Sequence, residues 1–188
     1  MRRLLVCALV PMFLVFPLHF ARVARAEKNS VVQIYTAPEM NLEEVDRSIL
    51  DQLGQGARVN IADQALSDHI VIECLSNAAD RGAHIRIYLD PREVERMTLD
   101  NEHPLVKLSR MRNVEIKLKA SADGSMRLKG YSVNGSLLRI GSAHESHSSL
   151  ERQDNDLVMI SEKEAVAAFD RKFEAMWARP NNKKFSFP

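Results

Sequence analysis

Arg127 and Lys129 stand two residues apart, and Gly141-Ser142, His144 and His147 follow them. On a strand, residues i and i+2 share a face, so this spacing aims both cations the same way. Guanidinium and ammonium neutralise an anion. A small Gly-Ser turn lets backbone N–H groups approach it, and the hydroxyl can hold one of its oxygens. This is equipment for an anion. The wider stretch 105–139 carries eight bases (Lys107, Arg110, Arg112, Lys117, Lys119, Arg127, Lys129 and Arg139) against two acids, Glu115 and Asp123. A solvated basic face accounts for the same composition equally well.

Covalent chemistry needs more than charge. Guanidinium has five donors and no lone pair to give, so Arg127 can clamp a phosphate but cannot attack it or carry a proton. His144 and His147 are the nearest imidazoles, with the right chemistry for nucleophilic or acid–base work. A polar loop position near solvent is the simpler reading of His144. Glu145, Glu151, Asp154 and Asp156 around them read as a solvated acidic loop. His69, His84 and His103 lack metal-ligand spacing, so neither a metal nor a cofactor is expected.

Several elements must position these groups. Residues 31–35 read as a first strand. Asn41 with Glu44 starts a helix carrying Leu42, Val45, Ile49 and Leu53, which ends at Gly54 and Gly56. Residues 57–61 alternate as a second strand. Ser67 is the expected cap of a second helix, and residues 84–89 are a third strand closed by Asp90-Pro91. Residues 91–112 read as helical, with Pro104 as a first-turn residue, and 114–118 as a strand. Residues 126–133 and 137–140 read as strands joined through Asn134-Gly135, a strong hairpin signal. Residues 141–156 read as loop and 157–160 as a buried strand. Ser161 with Glu164 is expected to cap a last helix bearing Val166, Phe169, Phe173, Met176 and Trp177. The order implies an α/β fold with a mixed, largely parallel sheet flanked by helices.

The chain has 188 residues, and its hydrophobic fraction of 45% suits one globular domain. Arg2-Arg3, an apolar stretch from Leu4 to Phe20 and Ala24-Arg25-Ala26 have the layout of a secretory signal peptide over residues 1–26. The stretch is short for a membrane span and Pro11 and Pro17 interrupt it, so export to the periplasm or medium without stable membrane insertion is expected. The remainder holds 22 basic and 25 acidic side chains, which excludes a generic polyanion binder. After cleavage Cys74 is the only cysteine, in an apolar helical pattern that reads as an inert buried thiol. Residues 27–179 form the expected domain and 180–188 a polar tail.

The stretch Met126-Arg-Leu-Lys-Gly-Tyr-Ser-Val-Asn-Gly135, with Leu138-Arg-Ile-Gly-Ser142, resembles the HxKxxxxD…GS core of the phospholipase D superfamily. Tyr35 to Glu39, Ala78 to Gly82, Leu89-Asp90, Arg152 to Asp156 and the final helix ending in Trp177 fit as well, so the resemblance spans residues 30–179. It is to small exported bacterial members with one motif copy. It implies a phospholipase D-like fold, phosphodiester hydrolysis on phospholipid or nucleic acid without a metal, and a homodimer sharing one site. The motif's nucleophilic His falls on Arg127, its phosphate-binding Lys on Lys129, its Asp on Asn134, its Ser on Ser142 and its Asn on His144. Two functions follow. One is a phosphate-binding module that is catalytically impaired, and the other is an active phosphodiesterase using a displaced histidine.

Overall fold

A computed structural model describes residues 31–187. The signal segment, its cleavage site after Ala26 and Cys7 lie outside the described residues. Among those described, no helix is long and apolar enough to cross a membrane.

The elements run β1 (Val32–Ala37), α1 (Leu42–Leu50), β2 (Arg58–Asp63), α2 (His69–Asp80), β3 (His84–Leu89), α3 (Pro91–Arg96), α4 (Pro104–Ser109), β4 (Val114–Leu118), β5 (Lys129–Val133), β6 (Leu137–Gly141), α5 (His147–Glu151), β7 (Asn155–Ile160), α6 (Lys163–Trp177) and β8 (Lys183–Lys184). All strands join one sheet in the order β1-β7-β6-β5-β2-β3-β4-β8. The sheet is mixed, as expected. Parallel pairing is confined to β2–β3 and β3–β4, however, and every other adjacency is antiparallel. The expectation of a largely parallel sheet is therefore corrected. The β1–α1–β2 unit does not pair its two strands, because β7, β6 and β5 are inserted between them. The hairpin and the short connection to β7 force antiparallel neighbours there.

Alternation along the strands divides the core. Val59, Ile61, Ile85, Ile87, Leu89, Val114 and Ile116 face α1, α2 and α4 in one apolar layer with Leu42, Leu50, Ile72, Leu75 and Leu105. Ala62 and Tyr88 face the other way, against Phe173 and Met176 of α6. Cys74 is buried in the larger layer, and burial pushes its thiol up to about 12, as an inert thiol requires.

Polar caps set the helix starts. Asn41 accepts from the N–H groups of Glu43 and Glu44. Asp68, not Ser67, caps α2, and Glu162, not Ser161, caps α6. A carboxylate accepts both free N–H groups of the first turn, and its charge is favoured by the helix dipole. Three further expectations change. Residues 97–103 interrupt the expected 91–112 helix, while Pro104 stands in the first turn of α4 as expected. The 141–156 loop contains α5. The expected polar tail contributes β8, paired to β4, and buries Phe185 in the core.

Candidate functional site

The strand register gathers one edge of the sheet. Asp63 at the end of β2 pairs with Lys129 at the start of β5. Gly130 pairs with Ile140, so Lys129 lies level with Gly141 at the end of β6, and Gly141 pairs with Leu157 of β7. Thr36 and Ala37 at the end of β1 pair with Asp156 and Asn155. Lys129, Ser142, His144 and the Asn155-Asp156 pair thus come from distant sequence to one edge, where β2, β3 and β4 also end.

Arg127 reaches this edge by a different route from the one the alternation predicts. β5 begins only at Lys129, so Arg127 belongs to an extended entry segment and strand periodicity does not fix its face. The segment is held by its backbone: Met126 N–H donates to Asp90 Oδ2 at 2.7 Å, and Leu128 O accepts from Gln64 N–H at 2.9 Å. Met126 is buried against the α6 layer and Arg127 is exposed. Among the described residues neither Arg127 nor Lys129 has an ion-pair partner, so both charges are available to a ligand.

Ser142 is less available. Its N–H donates to Asp156 Oδ1 at 2.7 Å, its hydroxyl donates to Asn155 Oδ1 at 3.0 Å, and the hydroxyl oxygen accepts from Asp156 N–H at 2.9 Å. These bonds from Ser142 hold the Asp156 carboxyl below its usual range, so a carboxylate sits where an anion was expected. The adjoining groove is lined by Thr36, Glu39, Ser142, Asp154, Asn155 and Asp156, and its acids repel phosphate.

Asn134 is not at the site. It occupies the β5–β6 turn at the opposite edge, about 17 Å from Lys129 at roughly 3.4 Å per strand residue. Asn134 and Gly135 both have positive φ, 53° and 63°, the backbone of a type I′ hairpin that favours Asn-Gly. Its side chain accepts from Arg58 N–H at 2.8 Å. Asn134 shapes the turn and cannot touch a ligand held at Lys129.

His144 has a partner that sequence reading missed. Its Nδ1 lies 3.7 Å from Asp63 Oδ1, and its side chain is 31% exposed. Its N–H is fixed by Ser149 Oγ at 2.9 Å. Beneath it lies a buried ionic cluster. Arg139 on β6 donates to both carboxylate oxygens of Asp46 on α1, at 3.2 and 3.0 Å, and to Ala143 O at 3.1 Å. Tyr131 donates to the same Asp46 at 2.8 Å. Asp63 and Glu145 are wholly buried beside this pair, and both oxygens of Glu145 and Oδ2 of Asp63 lack a hydrogen-bond partner. One guanidinium already paired with one carboxylate cannot neutralise two more. Desolvation accordingly pushes the Asp63 and Glu145 carboxyls up. The cluster holds the turn after Ser142 from below, and Glu145 O accepts from the N–H groups of Ser67 and Asp68 at 2.9 Å each. A trace of it was legible in Val59, Ile61 and Asp63, where an acid continues an apolar strand face.

The basic stretch does not form a basic patch. Arg139 is buried with Asp46, Lys119 is buried against the Asp123 and Gly124 carbonyls, and Lys117 packs on the Trp177 ring at 4.5 Å. Lys107 pairs with Glu102 at 2.7 Å. Of the eight cations, Lys129 stands at the edge with Arg127 beside it.

The fold has known counterparts. NucT from Helicobacter pylori superposes with a TM-score of 0.68 at 16% identity, covering 82% of this chain and 98% of that one. The phospholipase D family member Nuc from Salmonella typhimurium gives 0.66 at 14% identity, covering 83% and 98%. Phosphatidylserine synthase from Haemophilus influenzae gives 0.60 at 13% identity, covering 82% of this chain and 40% of that one. Among curated proteins none matches the chain in sequence. Residues 49–177 match the family model described as cardiolipin synthase, PLD-like domain, and with that match over most of its length the chain belongs to the phospholipase D superfamily.

Proposed function

We propose that this protein is an exported phospholipase D-type phosphodiester-binding protein whose covalent chemistry is impaired. The observation that carries the reading is Arg127. The residue at the family's nucleophile position is an exposed guanidinium, which can hold a phosphate but has no lone pair with which to attack it. Binding then rests on Arg127 and Lys129, because the Ser142 donors are engaged by Asp156 and Asn155. The ligand is a phosphodiester of phospholipid or nucleic acid, in keeping with the phospholipase D family member and the phosphatidylserine synthase among its structural neighbours. A homodimer with these edges near its two-fold axis is part of the proposal, and a strictly monomeric species in sedimentation equilibrium would remove it. Titration with a dialkyl phosphate tests the binding. Lys129→Ala should weaken it about tenfold or more, the loss of one charge-assisted contact. An unchanged affinity would refute the assignment.

One observation favours a second reading. His144 Nδ1 stands 3.7 Å from Asp63 Oδ1 and has no hydrogen-bond partner among the described residues, so a small rotation would let the carboxyl orient the imidazole for nucleophilic or proton-transfer work. On that reading His144 replaces the missing nucleophile.

A further inference from the structure

A second group of chemistry-bearing side chains lies beside α1 and α5, outside the phosphate edge. Glu43 in the first turn of α1, His147 at the start of α5 and Glu151 at its end converge, with one donor atom from each lying within 4.8 Å of the others. Tetrahedral ligands at about 2.0–2.2 Å from a metal sit roughly 3.3–3.5 Å apart, so only a small closure separates the trio from coordination. His147 Nε2 is already 3.4 Å from Glu151 Oε2, and His147 Nδ1 is 3.9 Å from Glu43 Oε2. The imidazole is 56% exposed and can rotate to close the gap.

Two features distinguish this group from a surface ion pair. The Glu43 side chain is only 9% exposed, and it lies against the Asp68 carboxyl as well as facing His147. The acids nearest to it in charge are Asp68 and Glu151, so three carboxyl groups converge on a half-closed spot. Glu151 is also held in place: Asn41 Nδ2 donates to its Oε1 at 3.0 Å, leaving Oε2 towards His147. A ligand carboxylate whose other oxygen is hydrogen-bonded is the usual outer support of a metal site. Arg152 Nη2 lies 3.4 Å from His147 Nε2, and it is exposed enough to move aside.

We propose that Glu43, His147 and Glu151 bind a divalent transition ion of the Zn2+ type. One imidazole and two carboxylates favour such an ion over Mg2+ or Ca2+, which prefer oxygen donors alone. With three protein donors, the remaining position is left to water. The ion ties the start of α1 to α5 and so clamps the segment that follows Ser142 and His144. His147 and Glu151 are spaced i, i+4 on one helix face, and Glu43 reaches them only through the fold.

The experiment uses untagged purified protein stripped with chelator and titrated with Zn2+ alone against a chromophoric competitor. Binding should saturate at one ion per chain. His147→Ala and Glu43→Gln should each weaken it at least tenfold, while His84→Ala, at an exposed position far from the group, should leave it unchanged. Zn2+ at a hundredfold excess over its Kd should raise the melting temperature by about 5–10 °C in the natural chain and not in Glu43→Gln. Circular dichroism confirms that each variant is folded. Absence of saturable binding, or saturable binding that both substitutions leave intact, would overturn the proposal.

Discussion

Asp46→Ala should be among the most destabilising single substitutions available in this protein. Asp46 and Arg139 are both fully buried, and their fork-to-fork bonds at 3.0 and 3.2 Å tie α1 to β6. Truncation leaves Arg139 with the Ala143 carbonyl as its remaining hydrogen-bond partner, at 3.1 Å, and strips the Tyr131 hydroxyl of its acceptor. Removing one partner of a buried pair costs about 3–5 kcal/mol, and an orphaned hydroxyl adds about 1–3 kcal/mol. Glu145 works against this. Its unpartnered carboxyl lies close enough to Arg139 to take over as counter-charge, which keeps the total near the lower range of about 3–5 kcal/mol. At about 2–4 °C per kcal/mol for a domain of this size, the melting temperature should fall by roughly 6–20 °C. Urea unfolding followed by far-ultraviolet circular dichroism measures the free energy directly. In the cycle with Arg139→Leu, the double variant Asp46→Ala/Arg139→Leu should lose less than the sum of the singles, because it leaves no buried charge uncompensated. A loss under about 1 kcal/mol for Asp46→Ala, or strict additivity in the cycle, would refute the view that this pair anchors the site edge.

Two other expectations concern the same frame. Asn134→Ala should cost about 1 kcal/mol in unfolding free energy, since the short polar side chain that suits Asn to φ 53°, here accepting from Arg58 N–H, is lost. It should leave dialkyl phosphate affinity unchanged, and a weakened affinity would put Asn134 back at the site. Asp63→Asn should flatten the pH dependence of stability. Burial raises the folded carboxyl above its ordinary value of 3.8, so its contribution is present at low pH and lost as pH rises through the folded value. Urea unfolding at pH 4 and pH 8 should show the variant gaining on the natural chain at the higher pH, whereas parallel profiles would contradict the assignment.

The legibility of this fold in its sequence follows the range of the interactions involved. Local signals read correctly: the Asn134-Gly135 turn, the alternation of β3 and the apolar face of α6 each depend on neighbours a few residues away. Cap identity was off by one at Asp68 and Glu162, where acid and hydroxyl compete at adjacent positions. Pairing was less legible. Nothing near β1 announces β7 as its partner, and that choice makes most of the sheet antiparallel. For the candidate site, motif spacing singled out Lys129, Ser142 and His144, which the fold brings to one edge, but could not show that Asp156 occupies the Ser142 donors or that Asp63 stands behind His144. The local excess of cations was misleading for the same reason, because Arg139 finds Asp46 ninety-three residues away.

The most direct test of the central claim is turnover of bis-p-nitrophenyl phosphate by the purified natural protein, in chelator and without added metal. An exposed guanidinium at the nucleophile position predicts background hydrolysis, with the His144→Ala variant indistinguishable from the natural chain. The double substitution Arg127→His/His144→Asn should raise the rate by supplying an imidazole at the motif position. Robust metal-independent turnover by the natural protein that His144→Ala abolishes would contradict the claim, and would make the His144 imidazole beside Asp63 the working nucleophile.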